Sequence, residues 1–132
     1  MKKEIKHICL AEDDPDDHYL FLDVLTEIDK NIKLSWFQTC EDLLKFLRST
    51  SDLPCLIVMD MNMPKMSGQT CLTSIKKEAK LQHIPVIIFS TATESSIIDM
   101  AQKAGAYKYI VKPFSLNEFR DIVREILATT LP

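Results

Sequence analysis

Glycine is almost missing from this chain: Gly68 and Gly105 are the only two in 132 residues. Phosphate-binding α/β folds commonly follow the first strand with a glycine-rich or hydroxyl-rich loop whose amides cradle the anion, and no such loop is present. Cysteine is sparse too. Cys9, Cys40, Cys55 and Cys71 lie far apart with no C-x-x-C spacing, a pattern that fits reduced core thiols rather than a disulfide or zinc framework. His7, His18 and His83 show no ligand spacing either. Basic residues are outnumbered, 16 Lys and Arg against 19 Asp and Glu for a net charge of -3, so the electrostatic footprint of a nucleic-acid binder is lacking. No long apolar run occurs. The run that follows the charged start Met1-Lys2-Lys3-Glu4-Ile5-Lys6 reaches only Ala11 before acids interrupt it, too short for a signal peptide or a membrane span, so a cytoplasmic protein is expected. Linkers, repeats and low-complexity segments are absent as well, which predicts one domain over residues 1–132. With 46% hydrophobic residues it can bury about two thirds of its unfolded surface.

What is present is a set of short apolar runs, each ending in a functional group. Cys55-Leu56-Ile57-Val58-Met59 closes in Asp60, followed by Met61-Asn62-Met63-Pro64-Lys65-Met66-Ser67-Gly68. Ile8-Cys9-Leu10-Ala11 closes in Glu12-Asp13-Asp14, Val86-Ile87-Ile88-Phe89 in Ser90-Thr91, and Tyr109-Ile110-Val111 in Lys112-Pro113. Runs this apolar read as strands of a parallel sheet buried on both faces. Their C-terminal ends form the rim where open sheets of this kind bind ligands.

Helical patterns separate the strands. Asp14-Pro15-Asp16-Asp17 offers an N-cap, a proline at the first helical position and acids in the first turn, ahead of Leu20, Val24, Leu25 and Ile28 on one face. Leu34 to Gln38 is a weaker strand, and Thr39-Cys40-Glu41-Asp42 resembles a capping box before Leu43, Leu44 and Leu47. Gln69 to about Ala79 carries Leu72, Ile75 and Ala79 on one face. Ser95 or Ser96 caps a helix that Gly105 stops. Ser115-Leu116-Asn117-Glu118 is a capping box for a last helix with Phe119, Ile122, Val123, Ile126 and Leu127 on its face. The β-α alternation repeats roughly five times, as expected for a parallel sheet with helices on both faces.

The chemistry follows from the charges. A phosphate meeting Glu12, Asp13 and Asp60 is repelled unless a cation intervenes, and with only oxygen donors that cation is Mg²⁺, with Mn²⁺ able to replace it. Asp60 can then act as a nucleophile and form an aspartyl phosphate, while the Lys112 ammonium neutralises phosphoryl oxygens and the Ser90 hydroxyl donates a hydrogen bond. Taken singly, Asp60 is as readily a turn former, Lys112 a surface lysine, Ser90 a turn hydroxyl and Tyr109 a strand aromatic. Their joint placement at four strand ends makes them a site.

Leu10-Ala11-Glu12-Asp13-Asp14, Val58-Met59-Asp60-Met61-Asn62-Met63-Pro64 with Gly68, Phe89-Ser90-Thr91-Ala92 and Tyr109-Ile110-Val111-Lys112-Pro113-Phe114 together strongly resemble the receiver domain of two-component response regulators. The resemblance covers essentially the whole chain. It implies a flavodoxin-like α/β fold, a doubly wound (βα)5 domain with a five-stranded parallel sheet of order 2-1-3-4-5. It further implies Asp60 as phosphoacceptor, Asp13 and Asp60 as carboxylate ligands of Mg²⁺, the Asn62 backbone carbonyl as a further ligand and Glu12 acting through a metal-bound water. Ser90 matches the switch hydroxyl, with Thr91 a one-residue alternative in register, Lys112 matches the lysine of the site and Tyr109 the switch aromatic. A cis Lys112-Pro113 peptide is implied as well. Glu12 stands where many relatives have Asp. The acidic opening Glu12 to Asp17 looks like small stand-alone receivers, including some paired with phytochrome-type kinases.

The expected function is that of a single-domain response regulator, with no output domain before the end at Thr129-Thr130-Leu131-Pro132. It takes a phosphoryl group from a histidine kinase or histidine phosphotransfer protein and signals to an unidentified downstream protein by phosphorylation-dependent contact. It is not an enzyme beyond its own phosphorylation and slow dephosphorylation. The output face is the helix after Ser90, the strand Tyr109 to Val111 and the final helix, where Ala101, Ala104, Ala106 and Lys108 offer contacts to a partner or to a second copy in a homodimer. Three competitors stand beside this reading. A metal-dependent phosphohydrolase of the haloacid dehalogenase-like kind needs a second acid two residues after its nucleophile, where this chain has Asn62. The acidic first loop disfavours a flavodoxin-like redox protein. A degenerate receiver working without phosphate is disfavoured by the full set of site residues.

Overall fold

The computed structural model describes residues 6–130. The charged start Met1–Ile5 and the end Leu131–Pro132 lie outside the described residues, and with them the readings made on those segments. Five strands and five helices alternate: β1 (Lys6–Ala11), α1 (Pro15–Ile28), β2 (Ile32–Phe37), α2 (Cys40–Ser49), β3 (Leu56–Met59), α3 (Gly68–Lys77), β4 (Val86–Ser90), α4 (Ser95–Lys103), β5 (Lys108–Val111) and α5 (Leu116–Thr130). All strand pairs are parallel and the order is β2-β1-β3-β4-β5, the expected one. The chain switches direction across the sheet between β1 and β3, and the site opens at the C-terminal ends there.

Two apolar layers sandwich the sheet. Alternate residues of β1 and β3, Cys9, Ala11, Ile57 and Met59, face Leu43, Leu44 and Leu47 of α2 and Leu72 and Ile75 of α3. Ile8, Leu10, Leu56 and Val58 face Phe21, Val24 and Leu25 of α1 and Phe119, Val123 and Ile126 of α5. The period-two split of each strand between two covered faces is why its sequence reads as a continuous apolar run.

Local signals place most helix starts correctly. Asp14 caps α1 by accepting from the Asp16 amide, Thr39 caps α2 through the Asp42 amide, and the Ser115 hydroxyl accepts from the Glu118 amide at 3.1 Å. Gly105 follows the end of α4 with φ +106°, the left-handed conformation that glycine adopts without a Cβ penalty. Other expectations need correction. The N-cap of α4 is Glu94 and makes no side-chain cap bond, so neither Ser95 nor Ser96 has that role. Helix α3 ends at Lys77, which leaves Ala79 exposed beyond it, while Cys71 takes a core position on its face. On α1 the buried aromatic is Phe21, with Leu20 only half-buried.

The cysteines depart furthest from expectation. Cys40 and Cys71 form a disulfide with Cα atoms 5.8 Å apart, and Cys55 is exposed rather than in the core. Doubly wound topology sets α2 and α3 side by side on one face of the sheet, so two cysteines 31 residues apart meet. Spacing along the chain carries no trace of that contact. The Lys112–Pro113 peptide is trans, since no described residue has a cis bond; the trans form is the default for X-Pro, and the Lys112 amide still reaches the Ser90 carbonyl at 2.8 Å.

Candidate functional site

Four of the five strands, β1, β3, β4 and β5, deliver a functional group at or directly after their C-terminal ends. Glu12 follows β1, Asp60 follows β3, Ser90 is the last residue of β4 and Lys112 follows β5. Glu12, Asp60, Ser90 and Lys112 are all buried, a set of polar groups that such a position tolerates only if each is paired.

Lys112 supplies most of the pairing. Its Nζ donates to Asp60 Oδ2 at 2.8 Å, to Glu12 Oε1 at 2.5 Å and to Asp17 Oδ2 at 2.8 Å. An ammonium has three N–H donors, and all three are committed. Asp17, three residues after the Asp14 cap of α1, is the partner that sequence reasoning missed. An acid in a first helical turn is ordinarily explained by the helix dipole, and only the fold shows that it leans over the site.

The loop after Asp60 is held from three sides. The Asp60 amide donates to the Ala11 carbonyl at 3.0 Å, the Asn62 amide to Asp60 Oδ1 at 3.1 Å, and the Gly68 amide to the Met61 carbonyl at 2.9 Å. A Cβ on Gly68 would lie 2.4 Å from the Asp60 carbonyl oxygen and 2.7 Å from Met61 Cα. Glycine is needed there for close approach, so that α3 can start directly beneath the loop.

Titration of the two buried acids diverges. Burial pushes Glu12 up, to about 8, against the opposing pull of Lys112. Burial acts on Asp60 in the same sense, yet its carboxyl sits below the usual range because the Lys112 ammonium, the Asn62 amide and the Ser90 hydroxyl all donate to it. The same three carboxylates hold Lys112 above the ordinary lysine range although burial alone would lower it. Asp60 is therefore an ionised, hydrogen-bonded carboxylate at neutral pH.

Carboxylate oxygens of Glu12, Asp13 and Asp60 lie within 4.8 Å of one another. The donor set is all hard oxygen, with Glu12 and Asp60 buried and Asp13 exposed on the open side, which fits a divalent ion of the Mg²⁺ type that keeps several waters. Next to this cluster the Ser90 Oγ accepts from the Ala92 amide at 3.3 Å, and the Tyr109 hydroxyl donates to the Ala92 carbonyl at 2.7 Å. The structure thus brings Glu12, Asp13, Asp60, Ser90 and Lys112 to one rim and links Ser90 to Tyr109 through the Ala92 backbone.

Two further residues belong to this environment. The Trp36 indole donates to the Glu12 carbonyl at 2.7 Å and stacks on His18 with ring centroids 3.9 Å apart, so the single tryptophan is wired to the first acid. On the expected output face, Ala101 is fully buried and unavailable for contact. Met100, Tyr107, Val111 and Leu116 are exposed large apolar side chains on or beside it, and Lys108 pairs with Glu125 at 3.2 Å. Among the described residues no helix is long and apolar enough to cross a membrane.

A family model described as the response regulator receiver domain matches residues 8–124. The two-component response regulator ORR8 of Oryza sativa subsp. indica is 30% identical over 120 residues, covering 91% of this chain and 97% of that protein. Among solved structures, the phosphorylated cyanobacterial phytochrome response regulator RcpA is similar with a TM-score of 0.91 at 27% identity, covering 96% of this chain and 94% of that one. The Mn²⁺-bound form of response regulator Rcp1 is similar with a TM-score of 0.85 at 26% identity, over 93% of this chain and 92% of that one.

Proposed function

The chain belongs to the response regulator receiver domain family, and on that premise we propose that it takes a phosphoryl group onto Asp60 from a histidine kinase or histidine phosphotransfer protein. The observation that carries this reading is the Asp60 carboxylate at the end of β3, ionised, with the Lys112 ammonium 2.8 Å away and the Glu12 and Asp13 carboxylates beside it. One Asp60 oxygen attacks phosphorus; an O–P bond forms as the bond from phosphorus to the donor's imidazole nitrogen breaks, and the nitrogen keeps the electron pair. No general base is needed, because Asp60 is already ionised. Lys112 turns an N–H from Asp60 toward a phosphoryl oxygen, and Ser90 donates to another. Asp13 and Asp60, with the Asn62 carbonyl and Glu12 through water, would hold Mg²⁺ or Mn²⁺, which when bound neutralises charge on the transferring group. The relative Rcp1 is described in a Mn²⁺-bound form and RcpA in a phosphorylated one, which supports both parts of the reading.

Asp13→Asn is expected to raise the Mg²⁺ concentration for half-saturation about tenfold, since it removes one carboxylate from a cage with few protein ligands. Trp36 emission reads the titration through its bond to Glu12. An unchanged midpoint in the variant would remove Asp13 from the metal ligands.

Output follows from the phosphoryl charge, about -1.5 to -2 with strong acceptor oxygens. It draws the Ser90 hydroxyl from the Ala92 amide, and Tyr109, bonded to the Ala92 carbonyl, repacks with it. The face of α4, β5 and α5, with Met100, Tyr107 and Val111 exposed, then presents different contacts to a downstream protein or a second copy. Beryllofluoride with Mg²⁺ mimics the phosphoryl group. Amide spectra are expected to shift near Ser90, Ala92 and Tyr109 as well as near Asp13 and Asp60; shifts confined to the latter would sink the switch while sparing the phosphorylation chemistry.

A further inference from the structure

Lys112 has three carboxyl partners but only two of them, Glu12 and Asp60, belong to the oxygen cluster that fits a divalent ion. During phosphoryl transfer those two have other demands on their oxygens: Asp60 forms the new bond to phosphorus, and Glu12 lies with Asp13 around the cation position. Asp17 is the remaining partner. Its carboxylate comes from a different element, the first turn of α1, where the Asp14 cap and Pro15 fix the backbone. At 2.8 Å from Lys112 Nζ it makes a charge-assisted hydrogen bond, and its side chain is 34% exposed, so burial does not force the contact.

We propose that Asp17 is a positioning residue that tethers the Lys112 ammonium over Asp60 while the other two carboxylates engage the cation and the phosphoryl group. This rests on the receiver reading of the site. With Asp17 in place, one N–H of Lys112 stays anchored on α1 and the others are aimed at the phosphoryl oxygens. Without it, the long side chain loses its last fixed anionic contact at the moment of transfer. Asp17 acts through Lys112 and does not itself touch the reacting atoms.

The test compares wild type, Asp17→Asn, Asp17→Glu and Asp16→Asn on the full chain, labelled by acetyl phosphate at saturating Mg²⁺. Asp16→Asn removes the same charge from the same helical turn, but Asp16 is exposed and is not among the Lys112 partners. The maximal labelling rate is expected to fall about tenfold in Asp17→Asn and to return to within about twofold of wild type in Asp17→Glu, the size of effect that a misplaced charge stabiliser produces. Asp16→Asn is expected to label like wild type. Half-saturation by Mg²⁺, read by Trp36 emission, should not move in Asp17→Asn, because Asp17 stands outside the oxygen cluster. Nitrogen-15 spectra of the unphosphorylated protein should resolve the Lys112 ammonium in wild type and lose it to exchange in Asp17→Asn. An Asp17→Asn rate equal to wild type, an equal loss in Asp16→Asn or a weakened Mg²⁺ midpoint in Asp17→Asn would overturn the inference. Wild type that takes no label at all would instead overturn the receiver reading beneath it, and the ammonium spectrum would still decide whether Asp17 holds Lys112.

Discussion

Gly68→Ala is expected to destabilise the protein by about 3 kcal/mol, at the upper end of what overpacking costs. The added methyl would sit 2.4 Å from the Asp60 carbonyl oxygen and 2.7 Å from Met61 Cα, both backbone atoms. Flexible side chains can swing away from a clash, whereas this one can be relieved only by moving the start of α3 or the loop that carries Asp60. That loop is tied to β1 by the Asp60 amide, and its Met61 carbonyl accepts from the Gly68 amide. Either movement disturbs the site, so the variant should lose phosphorylation rate together with stability. Urea unfolding followed by Trp36 emission measures the first and labelling by acetyl phosphate the second. A variant as stable as wild type would mean that α3 does not start against the Asp60 loop as described.

Lys112→Ala is expected to cost about 3 kcal/mol at pH 8 without a divalent ion, because deleting one partner of a buried ion pair leaves the other unneutralised. Here Glu12 and Asp60 are left buried together. The deficit depends on pH. In wild type, burial already pushes Glu12 up to about 8; without the ammonium that opposes it, the push is stronger. An acid whose folded-state pKa lies above its unfolded one binds more protons in the folded state, so its contribution to stability declines as pH rises from the ordinary carboxylate range through the raised value. Lys112→Ala should therefore approach wild-type stability near pH 5 and fall behind near pH 8. Added Mg²⁺ should restore more stability to the variant than to wild type, since the ion neutralises the same acids. Its phosphorylation rate should drop about a hundredfold, the scale of losing one charge-stabilising donor. Denaturation at the two pH values checks the sign, and a deficit that grows on acidification would contradict the assignment.

Those residues were readable from the sequence because each ends an apolar run. A carboxylate, a hydroxyl or an ammonium directly after a strand buried on both faces has one place to go in a parallel sheet, which is how Glu12, Asp60, Ser90 and Lys112 could be placed together before any contact was known. Capping chemistry is equally local, and Asp14, Thr39 and Ser115 cap the helices as expected. Contacts between elements left no such mark. Asp17 reads as a helix-start acid, and only the crossing of α1 over the sheet brings it to Lys112. Cys40 and Cys71 pair because α2 and α3 share a face. Ala101 falls on the buried side of α4 instead of its outer face, and Glu94 displaces both serines as the cap, because tertiary packing set the start and rotation of a helix whose local signals were ambiguous.

Incubation with acetyl phosphate and Mg²⁺, with the label located by mass spectrometry, shows whether Asp60 accepts a phosphoryl group. One phosphoryl group is expected on the peptide containing Asp60, labile in base as an acyl phosphate is and absent from Asp60→Asn. A label that persists in Asp60→Asn, or one that maps to another residue in wild type, would contradict it.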